Sequence, residues 1–429
     1  MQEGDRIRFT YQHKEMEGVL VQLKDDHATV KLDSGYNIIV PVEELTGIET
    51  EPLERTKTPP VKVKQDPTLP KVSILHTGGT IASKVDYKTG AVVAQFNPEE
   101  LIALFPELLE LANIESKLLA NMQSDDMRFA HYNIIARAVL EEINRGVKGV
   151  IVTQGTDTLH YTAAALSFAL EGLNVPVVVV GSQRSSDRGS SDAATNLMGA
   201  LRFIGEGIPG VYIAMHETSS DDQIAIIDGL HGRKSHSSRR DAFVSVNAPL
   251  VARIPPGKVE IIDAARVEQR KKAAERKPRV LPFKEDLKVG LWKSHPQSFS
   301  DELAVYEHYD GLVIEGTGLG HAPITPIDEH TQEHALIRER IASLAKRIPV
   351  AMTTQTIHGR VNMNVYSPGR RLLEEGVLGQ GCDMPPETAF IKLAWLLSNF
   401  KREEIAVLYQ QNLRGEISER SPLEDSHCE

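Results

Sequence analysis

Cysteine is almost absent from this chain of 429 residues, which contains only Cys382 and Cys428. The two lie far apart and neither belongs to a CxxC pair, so they predict neither a disulfide framework nor a cysteine metal site. The N-terminus has no apolar signal core, and no stretch approaches the roughly 18 uninterrupted apolar residues of a membrane span. We therefore expect a soluble cytoplasmic protein that makes no contact with a membrane.

The chain also lacks a surplus of basic residues. Lys and Arg total 48 against 59 Asp and Glu, which gives a formal net charge of −11. A protein that binds nucleic acid by itself usually needs a cation for each phosphate it contacts, so any contact with RNA is expected to be local or made by a partner. No Walker sequence occurs, and ATP binding by this chain is not expected.

The N-terminal 70 residues contain no helical pattern. Four short strand-like runs, at 7–9, 18–21, 28–32 and 36–40, are separated by turn residues and predict a small SH3-like β-barrel over residues 1–50. Whether such a module binds a ligand or only assists assembly is open. Residues 51–70 hold five prolines and predict an extended linker.

From residue 71 the pattern alternates between strands and helices. Strands are predicted at 72–75, 149–152, 176–181 and 211–214, and helices at 158–170 and 192–204, which favours an α/β lobe with a parallel sheet over residues 71–265. A basic run marks a connector at 266–285, for which a solvated helix is favoured over an RNA-touching patch. Further strands at 288–291, 311–314 and 347–350 and a helix at 387–397 predict a second, smaller α/β lobe over residues 286–429.

Two of the predicted strands end in loops that combine glycine with threonine: Thr77-Gly78-Gly79-Thr80-Ile81-Ala82 and Thr153-Gln154-Gly155-Thr156-Asp157-Thr158. Ligands of open α/β sheets bind at the carboxyl ends of the strands, and glycine allows backbone N–H groups to approach a developing oxyanion. A threonine hydroxyl is a weak nucleophile that needs a base, and since neither loop contains histidine, a tyrosine or a lysine is the expected activator. Each loop alone would also fit an ordinary glycine turn.

Together the two loops resemble the active-site signatures of the bacterial-type L-asparaginase and glutaminase family. The resemblance runs from about residue 71 to 400 and includes the segments 123–127, 181–196, 316–320 and 359–366. It implies a two-lobed asparaginase-like fold and hydrolysis of a side-chain amide through a threonine acyl-enzyme. No metal is implied, and the cations between His231 and His236 also argue against a metal there.

The resemblance also implies roles for individual residues. Thr80 would be the nucleophile and Tyr87 would take its proton, while Thr156 and Asp157 would form a second pair with Lys234. The substrate would contact Gly79, Ser124, Asp125 and Asp157, with Ser124 on its α-carboxylate and Asp157 on its ammonium group. Gln154 stands where the family usually has histidine, so that position is expected to order the loop. The run 187–192 is expected to form a turn and a helix N-cap.

The role of Lys234 is left open by the sequence. To act as a base near neutral pH, a lysine needs its pKa lowered from about 10.4 to near 7, which corresponds to about 4 kcal/mol. Burial would favour such a change and the neighbouring Asp157 would oppose it. A protonated Lys234 that only polarises Thr156 fits the sequence equally well.

The β module and linker in front of the two lobes resemble the family of D-type subunits of archaeal glutamyl-tRNA(Gln) amidotransferases, as do the runs 184–188 and 237–243. This resemblance implies that the chain releases ammonia from glutamine or asparagine and passes it to a kinase and transamidase partner, an E-type subunit. That partner would hold most of the tRNA, use ATP and Mg²⁺ and convert Glu-tRNA(Gln) to Gln-tRNA(Gln), so this chain needs no cofactor. A homodimer within a heterotetramer is implied. A stand-alone cytoplasmic L-asparaginase and a non-catalytic amino-acid-binding or assembly protein are the alternatives.

Overall fold

The computed structural model describes residues 5–11, 13–24, 26–32, 37–51, 66–79, 81, 83–85, 92–94, 104–186, 190–273 and 277–420. Most of the predicted linker and part of the predicted N-terminal turns lie outside these residues. Among the described residues, no helix has both the length and the apolar character needed to span a bilayer.

The N-terminal residues form a small antiparallel β domain. Its five strands are β1 (Arg6–Tyr11), β2 (Lys14–Lys24), β3 (His27–Leu32), β4 (Asn37–Pro41) and β5 (Thr46–Glu51). They pair antiparallel in the order β4-β3-β2-β1-β5. Alternate residues such as Ile7, Phe9 and Val30 point inward and form the core, which is the period-two pattern of a sheet with one buried face. The predicted β domain is confirmed, with β5 as an additional strand.

The first lobe is built on an eight-stranded sheet whose order is β18-β17-β14-β13-β12-β10-β6-β9. The strands of this lobe are β6 (Lys71–Gly78), β7 (Ser83–Val85), β8 (Val92–Ala94), β9 (Asn113–Met122), β10 (Gly149–Thr153), β11 (Leu170–Glu171), β12 (Pro176–Val180), β13 (Gly210–His216), β14 (Ile224–Asp228), β15 (Gly232–Lys234), β16 (Phe243–Ser245), β17 (Ala252–Ile254), β18 (Glu260–Ile261) and β19 (Arg279–Val280). From β9 to β13 the sheet is parallel, as predicted. From β13 to β18 it is antiparallel.

Helices cover the faces of this sheet. They are α1 (Phe129–Asn144), α2 (Leu159–Ala169), α3 (Ala193–Gly205) and α4 (Ala264–Ala273). The helix α2 is buried along almost its whole length because one core extends from the first lobe into the second. This shared core holds the carboxyl ends of the first-lobe strands in a fixed position.

The second lobe contains a parallel sheet of β20 (Val289–Lys293), β21 (Gly311–Gly316) and β22 (Val350–Thr354). Its helices are α5 (Glu333–Arg347), α6 (Ser367–Glu374), α7 (Pro386–Asn399) and α8 (Arg402–Tyr409), with a 3-10 helix at Ser300–His308. The strand predicted from Arg347 begins only at Val350. Pro349 disfavours a helical conformation at Ile348, so α5 ends at Arg347 and the chain becomes extended at Ile348.

The basic connector is less solvated than the sequence predicts. On α4, Arg266 and Arg270 turn inward and contact Oδ2 of the fully buried Asp228 at 2.9 Å and 2.6 Å. Burial alone would raise the pKa of Asp228, but the two guanidinium groups outweigh it and hold that pKa well below its usual range. Lys271 and Lys272 remain exposed. The expectation of a fully solvated helix is therefore wrong for the inward face of α4.

Candidate active site

The first glycine loop lies directly against the second. Strand β6 ends at Gly78, and both Gly78 and Gly79 adopt positive φ values, +105° and +82°. A Cβ atom on Gly79 would lie 2.1 Å from the backbone nitrogen of Gly155, a distance that no side chain can occupy. Glycine at position 79 is therefore required both by the backbone conformation and by the contact between the two loops.

The strands that carry the two loops are joined by side chains close to their carboxyl ends. The Thr77 hydroxyl donates to the backbone oxygen of Thr153 at 2.9 Å, and Nδ1 of His76 lies 2.8 Å from Oγ1 of Thr153. His76 is opposite Thr153 in the parallel pairing of β6 with β10. These bonds align the two loops at the start of each.

Lys234 connects to the second loop through two hydrogen bonds. Its Nζ lies 2.8 Å from Oγ1 of Thr156 and 2.7 Å from Oδ1 of Asp157. A carboxylate can only accept, so Nζ donates to Asp157. The Lys234 side chain is 9% exposed and that of Asp157 is 71% exposed. A cation at the floor of the site is thus bound to a carboxylate that solvent or a ligand can reach.

The hydroxyl of Thr156 is oriented by a second partner. It donates to Oε1 of Gln183, 3.5 Å away, while accepting from Lys234. Thr156 is buried, and Gly181 passes behind it so closely that a Cβ there would lie 2.7 Å from Cγ2 of Thr156. The bonds therefore run in one direction, from the lysine N–H through the threonine O–H to the glutamine oxygen.

Ser124 lies beside the second loop, at the start of a 3-10 helix (Ser124–Asp126). Its side chain is buried, and a Cβ on Gly155 would lie 3.0 Å from its Oγ. The Thr158 hydroxyl donates to the backbone oxygen of Ser124 at 2.5 Å, and Nε2 of Gln154 lies 3.4 Å from that hydroxyl. Asp125, next in the chain, is exposed.

The structure thus brings together five of the predicted site residues, namely Gly79, Ser124, Thr156, Asp157 and Lys234. Asp125 is exposed beside Ser124, so its side chain is available to a ligand or to solvent. Thr80 follows Gly79 directly, and Tyr87 belongs to the connection between β7 and β8. Both Thr80 and Tyr87 lie outside the described residues, and their roles stay predictions.

Gln183 and Asp192 are site residues that sequence reasoning missed. Asp192 stands at the N-cap of α3, as expected, but its carboxylate does not cap the helix. It accepts from the backbone N–H groups of Gln183 and Arg184 at 3.0 Å, and Ser191 Oγ accepts from the N–H of Ala193 instead. The available signal was a polar run between a buried strand and a helix, which did not show that the acid would be fully buried.

The second lobe is anchored beside the hairpin that carries Lys234. Asn247, whose φ is +57°, donates from Nδ2 to the backbone oxygens of Gly359 and Asp383 and accepts the N–H of Gly359. Next to Lys234, Nε of Arg233 lies 3.5 Å from Oε1 of the nearly buried Glu387. These contacts fix the Lys234 hairpin between the two lobes.

The two histidines near Lys234 have structural partners. His231 directs its Nδ1 and Nε2 atoms to the backbone oxygens of Val246 and Gly415, at 3.0 Å and 2.9 Å. His236 accepts two backbone N–H groups. Over the part of the chain that the structure describes, no group of three His, Cys, Asp or Glu side chains is placed to hold a metal ion.

The buried His76 predicts a loss of stability in acid. Burial lowers its pKa from 6.5 to about 4, so the folded state binds its proton more weakly than the unfolded state does. This contribution is complete above pH 6.5 and is lost as the pH falls towards 4, by about 3 kcal/mol in all. Urea unfolding across that range measures it. A His76→Asn variant, which has no titratable ring, should lose less stability between the same pH values, and an equal loss in both proteins would contradict the assignment.

Three family descriptions match successive parts of the chain: GatD N-terminal domain over residues 1–50, Asparaginase, N-terminal over residues 71–266, and Glutaminase/Asparaginase C-terminal domain over residues 288–407. Among curated proteins, the D-type subunit of glutamyl-tRNA(Gln) amidotransferase from Methanococcus maripaludis strain C5 is 42% identical over 99% of this chain and 100% of its own length. The protein of the same name from Pyrococcus abyssi is 44% identical over 92% of this chain and 88% of its own. Among solved structures, the thermostable L-asparaginase of Thermococcus kodakarensis matches with a TM-score of 0.71 and 33% identity, covering 82% of this chain and 100% of that one.

Proposed function

The chain belongs to the family of D-type subunits of glutamyl-tRNA(Gln) amidotransferases, within the wider asparaginase and glutaminase family, and on that basis we propose that it splits the side-chain amide of glutamine and supplies the ammonia to a partner protein. Membership of this family implies a complex with at least one other subunit. The partner, an E-type subunit, amidates glutamate that is already attached to tRNA(Gln). The complex acts in the cytoplasm.

One observation carries the proposal: the two threonine loops and Lys234 meet at one point. Gly79 is packed on Gly155, and Lys234 binds both Thr156 and Asp157. Such an arrangement places backbone N–H groups, a hydroxyl, a cation and a carboxylate around one small space, as an amide hydrolase with a threonine nucleophile requires.

In the first half of the reaction, the Thr80 hydroxyl attacks the carbonyl carbon of the side-chain amide. Tyr87 takes the hydroxyl proton, and the tetrahedral oxyanion is stabilised by the backbone of the two glycine loops around Gly79. When the carbon–nitrogen bond breaks, the leaving nitrogen takes up the proton and departs as ammonia. Thr80 is left as an ester of the glutamyl side chain.

In the second half, water attacks the ester carbonyl and restores the Thr80 hydroxyl, releasing glutamate. The hydrogen-bond direction at Thr156 supports Lys234 as a charged donor that polarises this hydroxyl, since Thr156 directs its own proton to Gln183. Asp157 contacts Lys234 through Oδ1, and its side chain is largely exposed. It is therefore accessible to the ammonium group of an amino-acid substrate, while the buried Ser124 contacts the α-carboxylate.

The division of labour with the partner rests on the composition of this chain as well as on its family. The net charge of −11 and the absence of a Walker sequence assign tRNA binding and the use of ATP and Mg²⁺ mainly to the partner. We place this chain as a homodimer within a heterotetramer of the two proteins.

Transfer of ammonia is tested with glutamine that carries ¹⁵N only in its amide. The chain, its partner, ATP and Glu-tRNA(Gln) are incubated with this glutamine and an excess of unlabelled ammonium. We expect labelled Gln-tRNA(Gln) and faster glutamine hydrolysis than by the chain alone. A hydrolysis rate that the partner and charged tRNA leave unchanged, with unlabelled product, would identify a stand-alone amidase instead. The Thr80→Ala chain is the control, since it should support amidation from ammonium but not from glutamine.

A further inference from the structure

A chain of buried hydrogen bonds leads away from the candidate site on the Gln183 side. The amides of Gln183 and Arg184 donate to Asp192, which is fully buried on the sheet side of α3. Asp192 also accepts from Nδ2 of Asn196 at 3.1 Å. The carboxylate thereby has three donors, which allows it to remain ionised without contact with water.

Asn196 transmits this arrangement to a histidine. Its Nδ2 donates both to Asp192 and to the backbone oxygen of Gly181 at 3.0 Å, which fixes the orientation of its amide group. Its Oδ1 therefore faces Nδ1 of His216 at 2.7 Å as an acceptor. It follows that Nδ1 of His216 carries a proton.

The other nitrogen of the same ring faces an anion. Nε2 of His216 lies 2.9 Å from Oδ1 of Asp221, and Nη1 of Arg240 lies 2.6 Å from that same oxygen. An oxygen that accepts from a guanidinium group belongs to an ionised carboxylate, so it accepts from Nε2 as well. Both ring nitrogens donate, and His216 is an imidazolium whose ring is fully buried.

The series of contacts returns to the candidate site through Arg240. This arginine lies in the connection between β15 and β16, and Lys234 is the last residue of β15. The contacts therefore close a ring that passes from Lys234 to Thr156 and Gln183, then through Asp192, Asn196, His216 and Asp221 to Arg240. The two sides of the site, the Gln183 loop and the Lys234 hairpin, are thus connected twice, directly across Thr156 and again through His216.

We propose that His216 is a positioning residue for amide hydrolysis, which holds the Lys234 hairpin and the Gln183 loop at a fixed separation by donating from both ring nitrogens. The inference rests on the proposed function of the site. A neutral side chain of the same size can satisfy only one end of the link, and a displacement of about 1 Å between reacting groups can lower a rate by about 100-fold. His216 itself touches neither Thr156 nor Lys234.

Kinetics with a double-mutant cycle tests the link. His216→Asn keeps a donor for Asn196 and loses the contact with Asp221, and Arg240→Gln breaks the same link one step further on. Each variant is expected to lower kcat for glutamine hydrolysis about 10-fold with KM within about twofold, because neither residue contacts the substrate. The double variant should be no more than about twofold slower than the slower single variant. Effects that multiply in the double variant would show that the two residues act independently and would overturn the proposal. The control is His330→Gln, which alters a side chain 83% exposed on the second lobe and should leave kcat unchanged.

The protonation of His216 is read from the wild-type protein, so this test does not depend on variants that fold or on activity. The ¹⁵N chemical shifts of the His216 ring, assigned by comparison with His216→Asn, should both fall in the protonated range at neutral pH. One protonated and one unprotonated nitrogen would overturn the link. A wild-type protein that releases no ammonia, yet shows this doubly protonated ring, would refute the proposed function and leave the structural link intact.

Discussion

Replacement of Lys234 by methionine is expected to lower kcat/KM for ammonia release from glutamine by about 10²- to 10³-fold. Methionine has a similar length but donates no hydrogen bond, so Thr156 loses the donor 2.8 Å from its Oγ1 and Asp157 loses its cation. Removal of one electrostatic or proton-transfer partner from a preorganised site costs rates of this order. Steady-state kinetics of the purified complex measures the loss.

Two further variants give the result its meaning. Lys258→Met removes another lysine of the same lobe, 69% exposed and paired with Glu260, and should leave kcat/KM unchanged. Lys234→Arg keeps the charge but cannot act as a base. Partial activity of Lys234→Arg supports a lysine that polarises Thr156, whereas activity as low as that of Lys234→Met supports a lysine that removes a proton. Wild-type kcat/KM in Lys234→Met would contradict the place of Lys234 in the site.

Replacement of Thr80 by alanine is expected to have the largest effect, a fall in kcat of at least about 10⁴-fold. Loss of the attacking group in an enzyme with a covalent intermediate removes the chemical path, and what remains comes from binding and oxyanion stabilisation. The measurement is ammonia release under single-turnover conditions, with enzyme in excess over glutamine.

Thr80→Ser is the matched control because it retains a hydroxyl at the same position and should recover much of the rate. Thr156→Ala distinguishes the two loops. It should slow the reaction yet still permit a covalent intermediate, since Thr156 hydrogen-bonds to Lys234 and Gln183 and acts as a polarised partner in the proposed mechanism. Ammonia release by Thr80→Ala at the wild-type rate would exclude Thr80 as the nucleophile.

The sequence predicts the parts of the fold whose hydrophobic pattern is continuous. The buried runs of β6, β10 and β12 and the helix α2 were recognisable because parallel strands and their helices leave few ambiguous positions. The antiparallel half of the first sheet was not, because strands such as β17 are only three residues long. Short strands take their structure from neighbours that lie far away in the sequence.

The same distinction holds within the site. Each glycine–threonine loop could be located because it follows directly after a buried strand, and the contact of Gly79 with Gly155 follows from the parallel register of β6 and β10. Lys234 reached the site only through resemblance to a family, since it lies 78 residues from Thr156 in the sequence. The buried Asp192 was missed because an acid before a helix is normally an exposed cap.

The inward arginines of α4 show a further limit. A run such as Arg266 to Lys272 has the composition of a solvated helix, and only the position of Asp228 on the neighbouring β14 decides which face turns inward. A buried carboxylate is not visible in local sequence because its partners lie about 40 residues away. Charge alone therefore does not distinguish a solvated surface from a buried ion-pair network.

The central claim is that amide hydrolysis proceeds through an acyl-enzyme on Thr80. Its most direct test is to mix the enzyme with glutamine, quench it in acid during the first turnover, digest it and analyse the peptides by mass spectrometry. We expect a glutamyl group on the peptide that contains Thr80, absent from Thr80→Ala and still present in Thr156→Ala. A glutamyl group on Thr156, or free ammonia formed in the first turnover without any covalent intermediate, would contradict the claim.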